Sequence, residues 1–81
     1  MNNTHSQYVF LSENIKRIRN ELGIPQERLA LEAGIDRTLI SKIERGLANP
    51  TLGVLIKIST RLNVSICELF ASPITLDFHE S

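Results

Sequence analysis

The chain has 81 residues, and its nine Lys and Arg balance nine Asp and Glu, so its formal net charge at pH 7 is zero. This length allows one domain with a small core, and dimerisation is one way in which such a domain covers more apolar surface. The balanced charge makes the long-range field weak, so any contact with an anionic polymer would come from the local placement of basic residues, and the overall charge neither supports nor excludes DNA as a partner.

The single cysteine, Cys67, excludes an internal disulfide. The first residues lack the basic-then-apolar pattern of a signal peptide, and no apolar run approaches the ~20 residues that span a bilayer. We therefore expect a protein without a membrane segment, located in the reducing cytoplasm.

Helix one is predicted over residues 12–22. Ser12 offers an N-cap oxygen, and Gly23 is a residue at which a helix can end. Apolar side chains recur within it at helical spacing, at Leu11, Ile15, Ile18 and Leu22. This periodicity predicts one buried face.

Two short helices follow, joined by a tight turn. Helix two opens at Pro25 and ends at Gly34. Helix three runs from Arg37 to about Arg45, with Asp36 as its N-cap. Two helices joined by a glycine-containing turn form a helix-turn-helix, whose second helix enters the major groove of DNA.

Two more helices complete the chain of elements. Thr51 caps a fourth helix that runs to about Leu62. The stretch from Ser65 to Glu68 has the spacing of a capping box, which starts a short fifth helix that ends near Phe70.

These elements predict an all-α fold, a compact five-helix bundle that contains a helix-turn-helix. We expect the DNA-binding and dimerisation domain at residues 11–71. A polar N-terminal tail at residues 1–10 precedes it, and a C-terminal tail at residues 72–81 follows it.

The outward face of helix three carries groups suited to DNA. With Ile40 and Ile43 turned inward, the residues predicted to read bases are Arg37, Thr38, Leu39, Ser41 and Lys42. The arginine fork fits O6 and N7 of guanine, hydroxyls and ammonium groups bond bases or phosphates, and a leucine suits the thymine methyl group.

The segment from helix two to the loop after helix three contains Gln26-Glu27-x-Leu29-Ala30, Ala33-Gly34-Ile35, the run Asp36-Arg37-Thr38-Leu39-Ile40-Ser41-Lys42-Ile43-Glu44-Arg45-Gly46, and Asn49-Pro50-Thr51. With these motifs, residues 12–70 resemble the Cro/C1-type helix-turn-helix family, also called the XRE family. The last two motifs are similar to the controller proteins of restriction-modification systems. The resemblance implies a lambda-repressor-like fold and a homodimer on a near-palindromic operator, often in the promoter of its own gene.

The resemblance also implies roles for residues outside the base-reading set. Three residues match positions that hold phosphates in the family, namely Gln26, Arg45 and Asn49. Arg19 and Glu44 match an ion pair that ties helix one to the end of helix three. Pro25 stands where the family usually has Ser or Thr, so one accepting side chain is missing there.

Helix four has apolar residues on two sides. One predicted stripe, expected in the core, comprises Leu52, Leu55, Ile56, Ser59 and Leu62, and Val54 and Ile58 point away from it. We expect a second copy of the chain to cover the other side; the alternative is a helix buried on both sides within one subunit. The predicted dimer interface is Val54, Ile58, Arg61, Ile66 and Phe70.

We expect no enzyme activity, because the sequence shows no Gly-rich phosphate loop, nucleophile elbow or paired carboxylates. His5 and His79 lie in the tails without the spacing of metal ligands, so no metal, cofactor or small-molecule substrate is predicted.

The expected partners are double-stranded operator DNA and a second copy of the chain. RNA polymerase is a further candidate through Glu27 and Glu32, unless these are ordinary surface carboxylates. The alternatives to a controller protein are a phage-type repressor and a protein-interaction module of the same fold, such as an antitoxin or a bridging factor.

Overall fold

The computed structural model describes residues 3–72, with side chains described from residue 8 onward. Over this range the chain forms five α-helices and no strand: α1 at Asn3–Glu21, α2 at Gln26–Ala33, α3 at Arg37–Glu44, α4 at Leu52–Leu62 and α5 at Ile66–Leu69. The predicted all-α fold with five helices is confirmed. None of the described helices combines the length and the apolar character needed to cross a membrane.

The start of α1 differs from the prediction. α1 begins at Asn3, and Ser12 lies inside it, where its hydroxyl donates to the Val9 carbonyl oxygen at 3.0 Å. A serine that bonds back to the preceding turn fits within a helix. The prediction that Ser12 is an N-cap is therefore wrong, and residues 3–10 are helical rather than a tail. Most of the predicted C-terminal tail, residues 73–81, lies outside the described residues.

The predicted caps of α3, α4 and α5 are present. Asp36 accepts a bond from the backbone N–H of Thr38 at 3.0 Å, and the Thr51 hydroxyl caps α4. Ser65 and Glu68 form the predicted capping box, with reciprocal bonds of 3.1 and 2.8 Å. These short-range bonds explain why three of the five helices begin where the sequence predicts.

The core is aliphatic and draws on all five helices. Its most completely buried side chains are Leu11, Ile15, Leu29, Ile40, Ile43, Ile58 and Leu69. Burial of one such side chain stabilises the fold by about 1.5–3 kcal/mol. Because two of the seven belong to α3, the core fixes which face of that helix turns outward.

Ile58 corrects the prediction for helix four. Its side chain is 0% exposed, whereas Leu52 and Ile56, which the predicted stripe placed in the core, are 64% and 48% exposed. The prediction that Ile58 belongs to the dimer surface is therefore wrong. The predicted stripe and the stripe that is buried in the structure share Leu55, Ser59 and Leu62. Apolar spacing alone therefore does not decide whether the remaining inward position belongs to Ile58 or to Ile56.

The other predicted interface residues also contact their own subunit. Val54, Ile66 and Phe70 are partly buried and pack against the core. Arg61 donates from Nε to Glu32 Oε1 at 2.5 Å, which joins α4 to α2. The larger exposed apolar surface of α4 lies at Leu52 and Ile56.

Asn14 joins α1 to the end of α5. Its side chain is buried, at 3% exposed for the residue, and Nδ2 donates to the carbonyl oxygens of Leu69 at 2.9 Å and Ala71 at 2.8 Å. The last carbonyls of a helix have no partner within the helix, so Asn14 supplies one for α5. In the sequence, this role is indicated by an asparagine at an inward-facing position of the helix, three residues after Leu11.

We predict that Asn14→Ala lowers the free energy of unfolding by about 1–3 kcal/mol, because it leaves the buried carbonyl group of Leu69 without its side-chain donor. Urea unfolding of the full chain measures this difference. The matched control is Asn20→Ala, at an exposed position of the same helix, which should change stability by no more than about 0.5 kcal/mol. Equal effects at the two positions would contradict the assigned role of Asn14.

Glu32 lies between two arginines, with Arg28 Nε at 3.0 Å and Arg61 Nε at 2.5 Å from its carboxylate oxygens. The hydrogen bond from Arg28, followed by that from Arg61, holds the pKa of Glu32 below its ordinary value of 4.5. A carboxyl group whose pKa is lower in the folded state stabilises the fold above its ordinary pKa and ceases to do so as the pH falls through the lowered value.

We therefore expect wild-type protein to melt at a higher temperature than Glu32→Gln near neutral pH. The difference in Tm should shrink as the pH falls below about 4.5, the ordinary pKa of this group. Calorimetry at a series of pH values measures it, and Glu13→Gln, at an exposed residue with no ion pair among residues 8–72, controls for the added amide. A difference in Tm that stayed constant down to pH 3 would show that the arginine contacts do not act through the charge of Glu32.

Candidate nucleic-acid interface

The turn between α2 and α3 depends on Gly34. This residue has φ of 73° and ψ of 39°, in the left-handed region, and its neighbour Ile35 donates from its backbone N–H to the carbonyl oxygen of Ala30 at 2.9 Å. Glycine adopts this conformation without the strain that a Cβ atom causes. The chain therefore closes α2 and opens α3 within residues 34–36, as a helix-turn-helix requires.

One face of α3 presents four polar side chains together. Arg37, Thr38 and Lys42 are exposed and Ser41 is partly exposed, and three of the four line one shallow surface depression. The opposite face is held by Ile40 and Ile43 in the core. The structure thus brings together four of the five residues predicted to read bases.

Leu39 is the exception. It is partly buried and packs against the core. Residues 37, 38 and 39 span about 200° around a helix, so they cannot all lie on one outward face, and Leu39 falls beside the inward Ile43. Leu39 therefore lies at the border between the outward and the inward face, partly buried as Ser41 is, and its predicted contact with a base stays a prediction.

Two of the three predicted phosphate-binding residues are exposed near the end of α3. Arg45 follows the last residue of the helix and Asn49 lies in the next loop. Neither side chain forms a hydrogen bond or ion pair with any other part of residues 8–72. Gln26 differs, because its amide Nε2 already donates to Glu44 Oε1 at 2.9 Å.

The predicted ion pair between Arg19 and Glu44 is present. Arg19 Nε lies 2.6 Å from Glu44 Oε2, and Nη2 donates to Oε1 at 2.9 Å. The side chains are 11% and 2% exposed, and Arg19 Nη1 also donates to the Ile24 carbonyl oxygen at 2.8 Å. A buried pair of this kind adds little net stability compared with an apolar pair, but it ties the end of α3 to α1.

The arginines of the chain divide into two groups. Four form ion pairs within the subunit: Arg17 with Glu21, Arg19 with Glu44, and both Arg28 and Arg61 with Glu32. Arg37 and Arg45 form none with any part of residues 8–72, and both lie on α3 or directly after it. With Lys42 between them, they place three uncompensated positive charges on the exposed side of one helix, where an anionic polymer would bind.

Comparison with known proteins agrees with this geometry. A family model described as "Helix-turn-helix" matches residues 15–69, which is most of the described structure. The chain belongs to this helix-turn-helix family, of the XRE type. The matching model is not that of a catalytic family.

Similar proteins include transcriptional regulators and restriction-modification controllers. The HTH-type transcriptional regulator SutR of Escherichia coli K12 is 36% identical over 64 residues, which cover 79% of this chain and 36% of SutR, so the chain spans about a third of that relative. Control protein C.SmaI of Serratia marcescens is 41% identical over 59 residues, which cover 73% of this chain and 70% of C.SmaI.

A solved structure extends the comparison to a DNA complex. The controller protein C.Esp1396I, solved as a tetramer with its natural 35-base-pair operator, superposes with a TM-score of 0.72 at 42% identity, covering 79% of this chain and 84% of that one. The predicted resemblance to XRE-type regulators and to controller proteins is thereby confirmed.

Proposed function

We propose that the chain is a sequence-specific DNA-binding transcriptional regulator that inserts α3 into the major groove. The observation that carries this proposal is that Arg37 and Arg45, which form no ion pair within residues 8–72, lie on α3 and directly after it in a chain with zero net charge. Such local charge supplies the attraction to phosphates that the chain as a whole lacks.

The residues of this surface divide by position into two roles. Arg37, Thr38, Ser41 and Lys42 face outward along α3, where donors reach base edges. Arg45 and Asn49 lie at the end of the helix and in the following loop, where they meet the backbone and fix the register of the protein on DNA.

At a finer level, we propose a restriction-modification controller protein that acts as a homodimer. The similarity to C.SmaI and to the C.Esp1396I complex supports the controller assignment. In a symmetric dimer, two α3 helices roughly 34–36 Å apart enter successive major grooves on one side of the DNA, so the operator is a near-palindrome. We also propose that this operator lies in the promoter of the protein's own gene and that the protein binds it in the cytoplasm.

The dimer surface that we propose differs from the one predicted by sequence. Leu52 and Ile56 lie one turn apart on α4 and are both largely exposed, so they form an apolar strip that a second subunit can cover. Ile66 and Phe70 stay candidate neighbours of this strip because each is only partly buried.

RNA polymerase stays a candidate partner, but of the two carboxylates that the sequence indicated we propose only Glu27 for the contact. Glu32 is held between two arginines, which offset its charge. Glu27, exposed in the first turn of α2, forms no ion pair with any part of residues 8–72 and is the carboxylate that we propose faces the polymerase.

The experiment that tests DNA recognition starts with selection of an operator from random duplexes. On that operator, Arg37→Ala should weaken binding by about 1–3 kcal/mol and relax the preference at one base pair per half-site. Arg45→Ala should weaken binding to all sequences alike. It should also reduce the slope of log affinity against log salt concentration by about one.

The control for that experiment is Arg17→Ala, which removes an exposed arginine from α1 and should leave affinity unchanged. If Arg37→Ala kept the affinity and base preference of wild type, α3 would not be the recognition helix. If the wild-type chain selected no sequence, the proposed function itself would be wrong.

The dimer is tested by Ile56→Glu, which should give a folded monomer in sedimentation at micromolar concentration. Operator affinity should fall about a hundredfold, because the second half-site contact is no longer effectively intramolecular. Leu31→Glu, at an 80% exposed position on α2, is the matched control and should stay dimeric. Ile58→Glu should instead unfold the subunit, because it places a charge in the core; a folded, dimeric Ile56→Glu protein would move the interface elsewhere.

A further inference from the structure

The carboxylate of Glu44 receives hydrogen bonds from two different helices. Arg19 on α1 donates twice, and Gln26, the first residue of α2, donates from Nε2 to Oε1 at 2.9 Å. Glu44 is itself the last residue of α3. The buried carboxylate of Glu44 therefore connects the start of α2 with the end of the helix proposed to read DNA.

This contact determines which end of the Gln26 amide faces inward. An ionised carboxylate only accepts hydrogen bonds, so Gln26 must present its NH2 group to Glu44 and not its carbonyl oxygen. A rotation of the amide by 180° would place two acceptor oxygens against each other. The buried charge therefore fixes an orientation that a glutamine on an open surface does not have.

The same NH2 group carries a second hydrogen. Within residues 8–72, Glu44 is the one acceptor that this nitrogen bonds, and Gln26 is only partly buried. The second N–H is therefore available to an acceptor from outside the subunit. Pro25, the N-cap residue of α2, has no side-chain acceptor, so Gln26 supplies the polar side chain at this end of the helix.

We propose that Glu44 is a positioning residue for DNA binding: it holds the Gln26 amide so that its second N–H donates to a DNA phosphate while the first stays bonded to Glu44. This inference rests on the proposed function and adds to it a route by which the buried ion pair acts on the DNA backbone. Gln26 thus meets the phosphate with a hydrogen instead of an oxygen, and the contact is tied to the position of α3.

The orientation can be measured in the wild-type chain by NMR. With 15N-labelled glutamine, the side-chain NH2 group of Gln26, assigned by its loss in Gln26→Met, should show one proton shifted by the Glu44 carboxylate in the free protein. When the selected operator is added, the second proton should shift while the first keeps its position. Loss of the first shift on DNA would show that Gln26 leaves Glu44, and would overturn the proposal.

The phosphate contact is tested with operators in which single phosphates are replaced by neutral methylphosphonates. Wild type should lose affinity about tenfold or more at one phosphate per half-site, as expected when a hydrogen bond to a charged group is removed. Gln26→Met should bind the unmodified operator correspondingly less tightly and lose nothing more at that phosphate. Asn20→Ala, which removes an exposed amide from α1, should behave as wild type at every position.

The positioning role is tested by Glu44→Gln, which keeps the shape of the side chain and removes its charge. This variant should lose the same phosphate-specific effect and keep the base preference assigned to Arg37. If Glu44→Gln does not fold, the NMR shifts and Gln26→Met decide the question. A wild-type chain that binds its operator, with Gln26→Met equal to it at every modified phosphate, overturns this inference alone; a wild-type chain with no operator overturns the proposed function.

Discussion

The buried carboxylate of Glu44 is the constraint on which the position of α3, the helix proposed to read DNA, depends. α3 has eight residues, and helices of this length are marginal by themselves, so their stability and direction come from tertiary contacts. Ile40 and Ile43 hold its inner face, but apolar contacts tolerate small rotations. A buried ion pair does not, because any orientation of α3 that separates Glu44 from Arg19 leaves both buried groups without an opposite charge, at a cost of about 3–5 kcal/mol. The pair therefore specifies one orientation of the outward face.

The chain has zero net charge, and four of its six arginines are paired with carboxylates within the subunit. These ion pairs lie on α1, α2 and α4 or join them to other helices, so these four arginines contribute little to the potential beyond about one Debye length. The charges of Arg37, Lys42 and Arg45 have no such partner among residues 8–72, and therefore dominate the potential near α3. Exposed ion pairs contribute little to stability; here their consequence is to direct an anionic partner to one face.

Local patterns predicted the features that depend on neighbouring residues, whereas the contact between the distant Arg19 and Glu44 was predicted only through the family resemblance. Caps and turns were correct at Asp36, Thr51 and Ser65, because their hydrogen bonds close within three residues. The start of α1 was placed at Ser12, since a hydroxyl before an apolar repeat looks the same at an N-cap and inside a helix. Ile58 was misplaced because two overlapping stripes of α4 are equally apolar, and only the packing of other helices decides between them. The bond from Gln26 to Glu44 joins residues 18 positions apart, and no local pattern indicates it.

The small size of the reading surface explains why assembly matters for the proposed function. Four outward side chains on one short helix contact only a few base pairs, and each good base contact discriminates by about 1–3 kcal/mol. One subunit therefore cannot distinguish an operator from the many other sites in a genome. Two subunits double the number of base contacts and make the second contact effectively intramolecular. Because the proposed strip of Leu52 and Ile56 is a small apolar surface, the dimer that it forms depends on concentration, and operator DNA that binds both subunits shifts the equilibrium toward the dimer by mass action. Assembly and operator occupancy are then coupled through the same weak contact.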